Sequence, residues 1–342
     1  MGDLKRNTSI DAVKGLAIVL VMIGHVFVHN QMEDPYVYDF IKAVQMPLFM
    51  IISGYLCGQG RKISNLKTYG KIMAKRALTY LVPFFSWLTL MHWDHLAEAY
   101  KKIFFELDFG LWFLAVLFLL TFMVYTAQLA AAKFRETSYL VSEMIFWMVY
   151  GAFCCVLVLQ ILTGNNFLSP YLTIIYVPFY MLGYAAGNYG KQFFCWNDSG
   201  KGKIDCKNNR LIQMGMIAAA AVFFVLVAVK DLNSMESKLD IMVQMAASFL
   251  GSAAIIYGVF WWKEGRCKAF FSRIGLYTLE IYVLHYHFAN ILNFHHVQYE
   301  FYTLEGALFV AASFAAMCAV TFVFLWLLKK VKILDFLLFG KR

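Results

Sequence analysis

The chain has 342 residues, of which 61% are hydrophobic and only 15% charged. So much apolar surface exceeds what one water-facing core can hide, which excludes an ordinary soluble protein and requires a bilayer to cover part of the chain. The formal net charge of +9 invites a nucleic-acid partner, but the way the basic residues are distributed along the chain removes that reading.

Apolar windows separate into ten candidate transmembrane helices, near 11–29, 38–57, 73–91, 111–131, 139–162, 171–190, 211–229, 241–262, 275–294 and 303–328. Polar residues and prolines interrupt the third, sixth and ninth. The first carries internal charges and no small-residue cleavage site, so it reads as a retained helix and not as a signal peptide. Neither a Pro/Ser-rich linker nor a long polar segment divides the chain, and no internal repeat suggests a transporter built from two halves. The expectation is an all-α, multi-pass integral membrane protein with one domain over residues 1–342. Its loops alternate in charge. Lys5 and Arg6 precede the first span, and Arg61, Lys62, Lys67, Lys71, Lys75 and Arg76 fill the second loop without an acid. Lys133 and Arg135, then Lys191, Lys201, Lys203, Lys207 and Arg210, then Lys263, Arg266, Lys268 and Arg273, and finally Lys329, Lys330, Lys332, Lys341 and Arg342 continue the even-loop series. The odd loops hold Lys101, Lys102, Lys230 and Lys238 against Glu33, Asp34, Asp94, Glu98, Glu106, Asp108, Asp231, Glu236 and Asp240. The positive-inside rule then places both termini in the cytoplasm of a plasma or bacterial inner membrane, and topology accounts for the basic excess. The seven cysteines (57, 154, 155, 195, 206, 267 and 318) show no CxxC or Cys/His ligand spacing and read as apolar packing residues or reduced thiols.

Within the first span, SIDAVKGLAIVLVMIGHVFVH, Asp11, Lys14 and His25 are costly in lipid and therefore candidates for function. Lys14 and His25 lie 11 positions apart, about 20° past three full helical turns, so they share a face with His25 roughly 16 Å further along the axis. Lys14 can hold a phosphate as a point charge, and neutral His25 can accept a proton from a hydroxyl. The alternative is a snorkelling lysine and a histidine bonded to a neighbouring helix. His29, one turn further, is placed at the interface. In the second span, Pro47 frees backbone carbonyls and Ser53-Gly54 permits close approach of a ligand or simply of another helix. The Arg61–Arg76 segment, with interspersed Ile63, Leu66, Ile72 and Met73, reads as an interfacial helix on anionic lipid, or as a contributor to binding cofactor phosphates. In the third loop His92, His95 and Glu98 follow i, i+3 spacing, which suits a metal if helical but equally an exposed polar surface. Trp112 opens the fourth span as an interfacial anchor or a platform for a sugar ring. In the ninth span Tyr282 and His285 share a face at i, i+3 while Glu280 and His287 align at i, i+7, giving either a Glu–His relay, a substrate clamp or interhelical hydrogen bonds. Tyr36, Trp93, Tyr100, Tyr299 and Tyr302 line an outer mouth or form a membrane belt.

These residues together resemble the acyltransferase 3 family of membrane-bound O-acyltransferases, which modify cell-surface glycans. Its basic residue, ten-residue gap and histidine correspond to Lys14 and His25 within DAVKGLAIVLVMIGH. Its aromatic-rich run ending in Ser-Gly-Tyr/Phe-Leu corresponds to PLFMIISGYL, its Trp-Phe-Leu element to Trp112-Phe113-Leu114, and its late Ser/Thr-x-x-x-Tyr-x-x-His element to Thr278, Tyr282 and His285. The resemblance spans nearly the whole chain. It implies an acyl-CoA, by family habit acetyl-CoA, entering from the cytoplasm as donor substrate, with no permanently bound cofactor or metal. The phosphates would lie near Lys14 and the basic residues Arg61, Lys75 and Arg76. His25 would deprotonate an acceptor hydroxyl of a glycan or lipid-linked sugar, with Ser53, Tyr282 and His285 as oxyanion donors, or would itself carry the acyl group. Trp112, Glu280 and Trp93 would serve the acceptor. Members often carry a fused extracytoplasmic esterase-like domain; here such a partner would be a separate protein. The rival reading is a transporter or flippase of a polar lipid or glycan that uses the same polar stripe as its path.

Overall fold

The computed structural model describes residues 7–32, 36–193, 210–230, 232, 237–293 and 299–340. Lys5, Arg6, Glu33, Asp34, Cys195, Lys201, Lys203, Cys206, Lys207, Asp231, Glu236, Lys341 and Arg342 lie outside the described residues. Among the described residues every regular element is helical: α1 (Thr8–His29), α2 (Tyr36–Gln59), α3 (Leu66–Met91), α4 (Leu96–Ile103), α5 (Trp112–Ala132), α6 (Tyr139–Leu162), α7 (Pro170–Phe193), α8 (Arg210–Val229), α9 (Lys238–Trp261), α10 (Arg266–Ile274), α11 (Thr278–His285), α12 (Leu304–Leu328) and α13 (Lys332–Phe339), with 3-10 turns at Leu107–Phe109 and Tyr286–Phe288.

Seven of these, α1, α2, α5, α6, α8, α9 and α12, are long and apolar enough to cross a bilayer, and the chain is a multi-pass membrane protein. The third and sixth predicted spans correspond to α3 and α7, which have 26 and 24 residues and are interrupted by Pro83 and Pro178. They have the length to cross, while polar residues dilute their apolar character. The ninth predicted span is corrected. Residues 275–294 do not form one helix: α10 ends at Ile274, α11 has 8 residues, and a 3-10 turn follows. An apolar run signals burial but not helical continuity, and here the chain bends where Gly275 meets the Asp11 backbone. The basic stretch after Arg61 is likewise not an interfacial helix of its own. Asn65 caps α3 by accepting the Thr68 N–H at 2.8 Å, and α3 then continues unbroken to Met91.

The chain divides into two compact units, one of Met1–Ile52 and Ala185–Leu327, the other of Ser53–Tyr184 and Leu328–Arg342. In the first unit α1 and α10 cross at two glycines. A side chain on Gly15 would overlap the Phe271 carbonyl, and one on Gly275 would overlap the Asp11 carbonyl, so both glycines are required for backbones this close. With Gly275 at Asp11, His285 beside His25 and Ala289 at Asn30, the segment 275–289 runs parallel to α1. Beyond them Met22, Val26, Phe27, Met32, Tyr38, Ile41, Ala289, Val310 and Met317 form one apolar cluster that fixes the C-terminal half of α1.

In the second unit α5 is the central helix, with Leu114, Val116, Leu120, Val124 and Ala127 wholly buried. Gly54 of α2 lies against the Tyr180 carbonyl of α7, so the small pair Ser53-Gly54 serves helix packing at its glycine. The basic segment before α3 is pinned to α5. Ile63, 0% exposed, donates its N–H to Gln128 Oε1 at 3.1 Å, and its carbonyl accepts from Arg135 Nη1 at 3.1 Å. Gln128 Nε2 in turn donates to Tyr184 Oη at 3.1 Å. Gln128→Leu removes the acceptor of a buried N–H at a cost of about 1–3 kcal/mol. The expected result is faster amide exchange and proteolysis confined to residues 61–65; unchanged protection would show that the pin does not hold the segment.

Candidate active site

The first unit builds the constellation around α1. Asn7 starts the helix by accepting the N–H groups of Ser9 and Ile10 at 3.0 and 3.3 Å, and Asp11 complements the first turn. Lys14 Nζ lies 2.9 Å from Asp11 Oδ1, with the lysine side chain 20% and the aspartate 7% exposed. Lys14 is therefore held against its own helix by a mostly buried carboxylate and does not reach freely for an interface. Three turns on, half-buried His25 meets a ring from the parallel segment: its centroid is 5.0 Å from that of His285 and 5.2 Å from Tyr286.

His285 is 0% exposed. Its Nδ1 is 2.8 Å from the Ile281 carbonyl, one turn back on α11. A carbonyl only accepts, so Nδ1 carries the proton and neutral His285 presents a lone pair at Nε2. Tyr282 lies on the same face, its ring 6.2 Å from that of His285, as the i, i+3 spacing requires. His25 Nδ1 and His285 Nε2 are buried and have no hydrogen-bond partner among the described residues. Two imidazoles with unused nitrogens, side by side and shielded from water, form a site equipped for proton transfer. Glu280 is 1% exposed on α11. His287, which the i, i+7 spacing aligns with Glu280, sits exposed in the 3-10 turn that follows α11.

His29, which the sequence places at the interface, joins this cluster. It is half-buried, its ring centroid lies 5.9 Å from His25 and 4.4 Å from Tyr286, and its buried Nε2 has no partner among the described residues. The signal was present in the i, i+4 spacing of the two histidines, which puts both on one face.

The second unit contains the other predicted positions. Ser53 is half-buried beside Gly54. Trp112, at the start of α5, stacks on Tyr176 with centroids 5.3 Å apart and planes at 22°, so one of its faces is occupied within the chain. Arg61 and Lys75 are exposed, whereas Arg76 is half-buried and donates to Tyr80 Oη at 3.2 Å. Lys62, not singled out from the sequence for phosphate binding, lies over the Tyr184 ring at 6.0 Å. In the third loop Trp93 is 76% exposed. His95 Nδ1 pairs with Asp94 at 2.7 Å and thereby holds that carboxyl below its usual range, while His95 Nε2 lies 3.2 Å from His92 Nδ1. His92 stacks on Phe109. Among the described residues no three His, Cys, Asp or Glu side chains are arranged to hold a metal.

The family model for an acyltransferase domain matches residues 7–326. The chain belongs to the acyltransferase 3 family. The match contains every candidate residue named above, including the α1 stripe and the His285 segment. Among curated proteins the chain is 31% identical over 106 residues to the nodulation protein NolL of Sinorhizobium fredii, covering 29% of this chain and 28% of that protein. It is 34% identical over 96 residues to nodulation protein NolL of Mesorhizobium japonicum, covering 26% and 25%. The chain thus aligns with about a quarter of the length of these relatives. No solved structure matches the chain.

Proposed function

We propose that this acyltransferase 3 family member moves an acyl group, acetyl by family habit, from cytoplasmic acyl-CoA to a hydroxyl of an extracytoplasmic glycan or glycolipid. One observation carries the reading: His25 lies beside His285, and the buried His25 Nδ1 and His285 Nε2 have no hydrogen-bond partner among the described residues. In the proposed reaction His25 takes the proton of the acceptor hydroxyl as its oxygen attacks the thioester carbonyl. The C–S bond then breaks, and the imidazolium returns the proton to the departing CoA thiolate, so no proton is gained or lost overall. Neutral His285, with its lone pair at Nε2, suits orienting an N–H of His25 better than donating to an oxyanion. The donor roles that the resemblance implies for Tyr282 and Ser53 belong to the same proposal, as do those of Trp112, Glu280 and Trp93 toward the acceptor. An acyl-histidine on His25 is the competing route, and trapping of radiolabelled acyl-protein in the absence of acceptor distinguishes them.

The donor's phosphates are assigned to Lys14, aided by Arg61, Lys75 and Arg76. Asp11 keeps the ammonium in one place, which lowers the ordering cost of binding. Replacing Lys14 with Ala is expected to weaken acyl-CoA binding about tenfold or more, the range of a lost charged hydrogen bond. Calorimetry on purified protein checks this, and unchanged affinity removes Lys14 from the donor site.

A transport function remains the rival because Asp11, Lys14 and His25 line one face of a bilayer-length helix. Release of free CoA that depends on acceptor supports the enzyme, whereas substrate flux in liposomes without acyl-CoA supports a transporter.

A further inference from the structure

The mechanism above uses His25 and His285 but leaves the outer end of α1 without a task, although the fold takes trouble to define it. Asn30, 2% exposed, donates its side-chain amide both to Val26 O at 2.7 Å and to Ala289 O at 3.2 Å. This amide ties the last turn of α1 to the end of the 3-10 turn, and Phe27, Met32 and Ala289 bury the junction. Tyr286 is thereby fixed edge-on to two imidazoles at once, His25 at 83° and His29 at 80° between planes. It is nevertheless 41% exposed, and His29 keeps a buried Nε2 without a partner among the described residues.

We infer that His29 and Tyr286 form the acceptor subsite and that it takes a polyhydroxylated ring, presenting one hydroxyl to His25 and a neighbouring hydroxyl to His29. The inference rests on the proposed transferase function. His29 lies one turn beyond His25 on the side away from Lys14, so a molecule bound there approaches from the face opposite the donor's phosphates. A single alcohol would use His25 alone. A ring bearing adjacent hydroxyls satisfies both nitrogens, and its C–H face packs on the exposed part of Tyr286. A site built around a second hydrogen bond rejects acceptors that lack the matching hydroxyl, because the buried nitrogen is then left unpaired.

The test uses full-length protein in lipid nanodiscs, acetyl-CoA, and a panel of methyl glycopyranosides with their monodeoxy counterparts. His29→Phe is expected to raise the KM for a productive glycoside about tenfold, leaving kcat and the KM for acetyl-CoA within about twofold. His29→Gln, which keeps a hydrogen-bonding group, should restore part of the loss. Tyr286→Ala should raise the same KM while Tyr286→Phe does not. One monodeoxy glycoside should lose the same factor against the unaltered protein and nothing further against His29→Phe, which a merely structural role would not produce. An unchanged glycoside KM in His29→Phe, or no such deoxy position, overturns the inference. Acetyl-CoA binding without any glycoside-dependent CoA release overturns the hydroxylated-ring assignment, whereas failure to bind acetyl-CoA at all sinks the transferase reading beneath it.

Discussion

His25→Ala is expected to lower acyl transfer by about two to four orders of magnitude, the contribution of a positioned general base. The imidazole can accept a proton at neutral pH and lies three turns from the cation at the other end of the α1 stripe. Its buried Nδ1 makes no hydrogen bond among the described residues, so truncation breaks no structural bond through that atom. Detergent stability and acyl-CoA affinity should therefore stay close to those of the unaltered protein. Turnover is measured as CoA release with an acceptor, alongside a melting curve on the same preparation. An active, normally folded His25→Ala protein would remove the residue from the chemistry. His285→Gln offers a graded comparison: it disturbs the neighbouring ring without deleting the base, and its loss should be smaller.

The second large effect concerns the crossing of α1 and α10. Gly15→Ala places a methyl group against the carbonyl of Phe271, and Gly275→Ala does the same against the carbonyl of Asp11. Both obstacles are backbone, so no side-chain rotamer relieves them and the helices must separate. Overpacking of this kind costs about 1–3 kcal/mol and occasionally more. The melting temperature should fall clearly for each variant. Since both act on one crossing, the double variant should fall by less than the sum. Gly70→Ala is the control: it lies within α3 with nothing near its missing side chain, and alanine there should be neutral or stabilise by about 0.5–1 kcal/mol. If Gly15→Ala melts like Gly70→Ala, the close crossing is not a feature of the folded protein. Displacing α10 also moves Asp11 and Lys14, so a loss of donor affinity should accompany the loss of stability.

Much of the arrangement along α1 is legible in the sequence. Lys14 and His25 share a face because helical period is a local property, and α1 forms as a helix of bilayer length with Asn7 as its cap. The polar concentration around Tyr282 and His285 was likewise visible, as was their i, i+3 alignment. Other features were not. Nothing in the pattern around Gly15 or Gly275 distinguishes a glycine against a foreign backbone from one like Gly70 in open space. The 275–294 run has the composition of a span, but its described residues fold as a turn after α10, a short α11 and a 3-10 turn. In that turn His287 is exposed while the Tyr286 ring meets His25 on α1. His29, placed at the interface by its position, has its ring 5.9 Å from that of His25, on the face that their i, i+4 spacing shares.

The sequence by itself determined that the chain enters a bilayer and which residues occupy each stripe of α1. Both follow from terms that add residue by residue, namely transfer free energy and a fixed 3.6-residue period. Only the tertiary structure decided that His285, 260 positions from His25 along the chain, is the imidazole at its side, and that Asn30 holds Tyr286 over both α1 histidines. Such pairings depend on where backbones can approach, which local composition does not specify. In this fold that approach is set by two glycines and one buried amide.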